Sequence, residues 1–100
     1  MILARITGTV VGTSRSDRIP GARFLLAAPC SAGGKPSGNP MVVLDLMGAG
    51  RDEVVLVSQG SSVRQTEITK EQPVDALVIG IVDLVERDGS FAYRKDGAAL

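Results

Sequence analysis

Four short runs of this chain, residues 24–28, 41–46, 54–57 and 76–85, are apolar at nearly every position instead of every second one. Successive side chains of a strand point to opposite faces, so each run asks to be buried on both sides. A small barrel hides only its inner face, and no long amphipathic helix is legible in the chain to cover the outer one. Apolar surface gains about 25 cal/mol per Å² on burial. An outer wall left in water therefore favours association, and the pattern predicts an obligate oligomer whose interfaces resemble a core cut in half.

The remaining segments set the order of elements. Residues 2–13 alternate, with Ile2, Ala4, Ile6, Gly8, Val10 and Gly12 on one face and Leu3, Arg5, Thr7, Thr9, Val11 and Thr13 on the other, which predicts one long strand. Gly8 and Gly12 would permit sharp coiling on its apolar face. A polar loop over 14–22 ends in the turn signal Pro20-Gly21, and a strand over 24–28 stops at Pro29. Residues 31–40 read as a flexible loop, followed by strands over 41–46 and 53–57. Ser62-x-x-Gln65 fits a capping box and predicts a short helix, while Pro73 cuts short any helix begun at Thr69. A fifth strand spans 76–86. Asp88-Gly89 is a hairpin signal that lets Phe91-Ala92-Tyr93 pair back, and 95–100 is expected to be a flexible tail. The expected fold is mainly β: a single domain over 1–100, built as a small five-stranded OB-like barrel with one short helix and a C-terminal hairpin.

Composition narrows the function classes. The chain has 100 residues, with eleven basic and eleven acidic side chains, so its formal net charge is zero and it has little long-range attraction for nucleic acid or an anionic membrane. Nothing in that balance opposes self-association. One cysteine, Cys30, and no histidine exclude an internal disulfide and the common zinc ligand sets within one chain, and fit a reducing compartment. No basic region followed by an apolar stretch marks a signal peptide at the start, and no run reaches the roughly 20 apolar residues that span a bilayer, so a cytoplasmic protein is expected. Three aromatic residues and no basic excess supply neither the stacking platforms nor the groove of an oligonucleotide binder.

Catalytic and cofactor readings are weak beside structural ones. Gly48-Ala49-Gly50 has the start of a phosphate loop, but the third glycine is missing and a strand comes next instead of a helix, which leaves a tight turn. Asp45 and Asp83 interrupt apolar strands. They suit an acid–base pair or, more simply, ion pairs with Arg5, Arg51 or Arg64. Ser61 and Ser62 have no histidine to activate them and fit a helix cap better. Cys30 lacks an electropositive neighbour in sequence and reads as an inert small side chain. No catalytic residue, metal ligand or cofactor is assigned.

Several of these segments together resemble the vertex proteins of bacterial microcompartments, the ethanolamine-utilisation and carboxysome pentamer group. The resemblance runs from Met1 to about Glu86. It rests on Met1-Ile2-Leu3-Ala4-Arg5-Ile6-Thr7-Gly8-Thr9-Val10-Val11, Ile19-Pro20-Gly21-Ala22-Arg23-Phe24-Leu25-Leu26, and Val43-Leu44-Asp45-Leu46-Met47-Gly48-Ala49-Gly50 with Glu53-Val54-Val55. Gly60-Ser61-Ser62-Val63-Arg64 and Pro73-Val74-Asp75-Ala76 with Val78-Ile79-Gly80-Ile81-Val82-Asp83 complete it. The family often has Gly where Ala4 stands and usually Ala where Val63 stands. The resemblance implies a barrel that forms a homopentamer, a non-enzymatic role at the corners of a polyhedral shell in the cytoplasm, and hexameric shell proteins as partners. It places Gly48, Ala49 and Gly50 near a subunit interface or the five-fold axis, with Ser61, Ser62 and Arg64 beside them. The alternative is an oligomeric OB-like module that binds a small metabolite or nucleic acid.

Overall fold

The computed structural model describes residues 1–11, 23–60 and 76–95. Its strands are β1 (Ile2–Val10), β2 (Arg23–Pro29), β3 (Met41–Asp45), β4 (Val54–Gln59), β5 (Ala76–Ile81), β6 (Leu84–Arg87) and β7 (Ser90–Arg94). The first five close into a barrel in the order β1-β2-β3-β5-β4, and β6 and β7 form a separate hairpin. All pairings within the barrel are antiparallel except β3 with β5, whose parallel register, Leu44 opposite Leu77 and Asp45 opposite Val78, closes the cylinder. The expected helix at Ser62 lies outside the described residues. Among those described, no helix is long and apolar enough to cross a membrane.

The barrel interior is filled by small and branched side chains: Ala4, Ile6, Leu25, Ala27, Val43, Val55, Val57, Ala76 and Val78, with Ala49 entering from the turn after β3. A five-stranded cylinder is narrow, and no aromatic ring belongs to this cluster.

Two β-bulges interrupt the barrel ladders, and the first corrects the alternation read for β1. Thr7 has no partner in the register between β1 and β2, so beyond it Thr9 lies opposite the core residue Leu25, while Gly8 and Val10 lie opposite Leu26 and Phe24. The face assigned to Gly8 and Val10 is thus reversed, because one extra residue flips every later side chain. A side chain at position 8 would meet Leu26 only at ordinary contact distance, so Gly8 makes no forced approach there. The strand also ends at Val10, short of the expected Thr13. Ile79 is the unpaired residue of β5, and the flip lets Ile81 pack on the interior while Val82 turns outward.

The long fifth strand expected over 76–86 is broken at Val82 and Asp83 into β5 and β6. There Val82 N–H donates to Val54 C=O at 2.8 Å and Lys95 N–H to Asp83 C=O at 2.9 Å. The hairpin then lies against the outer wall of β1 and β4, where Val54, Val82 and Tyr93 are buried among Leu3, Cys30, Leu56 and Val85. This corrects the expectation that the chain leaves its whole outer face uncovered: the wall over β1 and β4 is covered by its own hairpin. The hairpin turn has φ of 55° at Asp88 and 82° at Gly89, the left-handed pair a two-residue loop demands.

Residues 31–40 are likewise more ordered than their composition implies. Ser31 N–H donates to Lys35 C=O, Gly34 N–H to Ser31 C=O and Ser37 N–H to Pro29 C=O. Gly34 is buried at a φ of 86°, and an added Cβ would sit 3.1 Å from both Arg5 Nη1 and Tyr93 Cδ1, so only glycine fits. The wall across the barrel stays partly bare: Val42 is 51% and Ile79 40% exposed, with Met47 51% exposed on the turn after β3.

Ile6 is fully enclosed by the barrel. Ile6→Ala is expected to lower stability in urea denaturation by about 2–5 kcal/mol, and a loss below about 1 kcal/mol would contradict this account of the core.

Candidate functional site

Asp45 is the one buried polar or charged side chain among the described residues. It ends β3, directly opposite Arg23 at the start of β2. One carboxylate oxygen, Oδ2, accepts from Arg23 Nη2 and from Ala49 N–H, both at 3.0 Å, and Oδ1 accepts from Met47 N–H at 2.9 Å. Arg23 Nη2 also donates to Ala49 C=O at 2.7 Å. The guanidinium is half-exposed while the carboxylate is fully enclosed. Four bonds therefore hold the turn of residues 46–50 at its base, and they satisfy a charge that burial would otherwise make costly.

Within this turn Gly48 has a φ of 82°, is exposed, and has no heavy atom of the described residues near the place of a Cβ, so backbone conformation calls for glycine. Ala49 drops its methyl into the barrel core. Gly50 N–H donates to Glu53 Oε1, and a Cβ at Gly50 would press on that oxygen at 3.1 Å. Glu53 in turn binds Lys95 Nζ at 2.9 Å through Oε2, which fastens the end of the hairpin to the far side of the turn. The bond from Lys95, then that from Gly50 N–H, holds the Glu53 carboxyl below its ordinary value, and the same contact raises Lys95.

The expected partners of the carboxylates need correcting. Among the described residues Asp45 pairs with Arg23, not with Arg5 or Arg51, because Arg23 faces it across the β2–β3 ladder. Asp83 is exposed and lies 4.0 Å from Lys95. Arg5 instead donates to Gly34 C=O at 2.8 Å and Asp52 C=O at 3.1 Å, which anchors two loops. Cys30 is partly buried, and desolvation raises its thiol pKa against a smaller lowering by Arg5. Gly48, Ala49 and Gly50 are brought together with Asp45 and Glu53. Ser61, Ser62 and Arg64 lie outside the described residues. Arg23 and Lys95 escaped sequence reasoning; only the strand pairing, not visible without a register, sets Arg23 beside Asp45.

The family model for the ethanolamine utilisation protein EutN/carboxysome group matches residues 1–83. The chain belongs to this family. The match ends at Asp83, one residue before β6, so it spans the barrel and stops short of the hairpin. Relatives include the bacterial microcompartment shell vertex protein GrpN of Rhodospirillum rubrum, 43% identical over 86% of this chain and 97% of its own length. Among solved structures, the family fold superposes on Gloeobacter violaceus CcmL with a TM-score of 0.83 at 41% identity, covering 96% of this chain and 99% of that one. The pentameric microcompartment shell protein GrpN superposes with a TM-score of 0.73 at 42% identity, covering 87% and 99%.

Because the Glu53 pKa is lowered on folding, its bond to Lys95 adds stability above the ordinary carboxylate value that is lost as pH falls through the lowered one. Tyr93, the sole tyrosine, reports on the hairpin. Its fluorescence is expected to show an acid step that Glu53→Gln removes; an identical step in that variant would contradict the assignment.

Proposed function

We propose that this chain assembles as a homopentamer that caps the vertices of a bacterial microcompartment shell in the cytoplasm, with hexameric shell proteins as neighbours and no catalytic role of its own. The observation that carries this reading is the likeness, nearly end to end, to a pentameric shell protein at 42% identity. The physics agrees. A flat hexagonal layer cannot close on itself without pentagons, and a head-to-tail contact whose rotation closes after five copies supplies one. The bare wall carrying Val42 and Ile79 is the kind of surface such a contact hides. The zero net charge favours contact with like copies over attraction to nucleic acid or membrane.

In this reading Gly48, Ala49 and Gly50 lie near the neighbouring copy or the axis, and Ser61, Ser62 and Arg64 sit beside them as a helix start and an intersubunit bond. The OB-like binding module draws no support from the relatives, whose names are those of shell vertex proteins.

Co-expression with hexamer-forming shell proteins tests the role. Electron micrographs are expected to show closed polyhedra with this chain and open sheets or tubes without it; equal closure in both would sink the vertex reading. Arg64→Ala is expected to lose pentamer at low concentration in native mass spectra, and an unchanged mass would remove Arg64 from the interface.

A further inference from the structure

The barrel is complete without the hairpin. Its interior cluster contains no residue of β6 or β7. The hairpin is a separate sheet resting on a separate, smaller cluster. Of the residues of β6 and β7, only Tyr93 is buried, while Leu84 and Phe91 are about half-exposed. The seat is also incompletely filled. A groove of ≈ 570 Å³ lies where β6 meets the wall, lined by Leu3, Leu56 and Ile81 of the barrel and by Leu84 and Val85 of the hairpin. Val82 and Asp83 join the two units and belong to no strand. At the other end Lys95 binds Glu53 through an ion pair open to solvent on the lysine side, a kind of contact that contributes little. A two-stranded hairpin on its own is marginally stable at best. The barrel and the hairpin are thus held with very unequal strength.

We propose that the β6–β7 hairpin is a strap: hinged at Val82 and Asp83, it opens from a barrel that stays closed and bares the wall of Leu3, Val54 and Leu56 as a second apolar face. Segments with few buried contacts open at a lower free-energy cost than the core they rest on. Tyr93 holds the strap shut, since it alone of the two strands is buried in the seat, with Val54 and Val82, and its ring lies close to Gly34 of the 31–38 loop. Once off the wall, the hairpin loses its own ladder as well, because nothing else supports two strands in water. Opening is a property of each copy by itself, so it stands apart from the pentamer reading.

The test is amide hydrogen exchange on the full chain, comparing wild type, Ile6→Ala and Tyr93→Ala. The Lys95 amide, bonded to Asp83 C=O at the foot of the hairpin, reports on the strap, and the amides of Val55 and Val57 report on the barrel. In wild type Lys95 is expected to exchange at least tenfold faster than Val55 and Val57. Ile6→Ala weakens the barrel interior and is expected to speed Val55 and Val57 while leaving Lys95 at its wild-type rate. Tyr93→Ala is expected to speed Lys95 by up to about a hundredfold, the effect of deleting a large buried aromatic side chain. It is also expected to bind the apolar dye ANS more strongly than wild type, with Val55 and Val57 still exchanging more slowly than Lys95. If Ile6→Ala speeds Lys95 together with Val55 and Val57, the hairpin opens only when the whole barrel does, and the strap is overturned. Unchanged Lys95 exchange or unchanged dye binding in Tyr93→Ala overturns it as well. The ring is scored separately by its mass, so none of these results decides the pentamer reading.

Discussion

A narrow barrel whose strands are greasy on both sides sets the terms for everything else in this molecule. Its interior accepts small and branched side chains, and ten of the described residues, from β1 to β5 and the Ala49 turn, fill it. The outer side chains of the same strands must then find cover elsewhere. Part of that cover is internal: the β6–β7 hairpin packs Val82, Tyr93 and Val85 over Leu3, Val54 and Leu56. The wall across the barrel buries Leu44 and Leu77 beside Phe24 and Leu46 but leaves Val42 and Ile79 exposed.

The polar interactions serve the same division. Arg5 ties the 31–38 loop and the turn at Asp52 to the β1 side of the barrel, and Lys95 ties the hairpin to Glu53. Asp45 and Arg23 shape the turn after β3. The charges therefore hold connecting segments in place around the cylinder, and apolar burial supplies the main drive to fold and associate.

Much of this was legible from the order of residues. The doubly apolar runs located β2 to β5, the alternation from Ile2 located β1, and Asp88-Gly89 located the hairpin. What sequence could not give was register. One unpaired residue at Thr7 and another at Ile79 reverse the facing of the side chains beyond them, and period-two reading has no signal for such an insertion. The break at Val82–Asp83 was hidden because an apolar strand and an apolar strand leaving the barrel look alike. At the candidate site, the turn and Asp45 stood out as a glycine pair and a charge in an apolar run. Its cation did not, since Arg23 is distant along the chain and adjacent only across a ladder. The loop over 31–40 read as flexible because composition does not show that Gly34 is wedged between Arg5 and Tyr93.

Val42 and Ile79, left exposed on the outer wall, call for copies to associate. Sedimentation equilibrium of the purified protein, diluted to the micromolar range, addresses it directly. The expected species is five times the mass of the 10.4 kDa chain. A stable, soluble 10.4 kDa monomer at that dilution would contradict it.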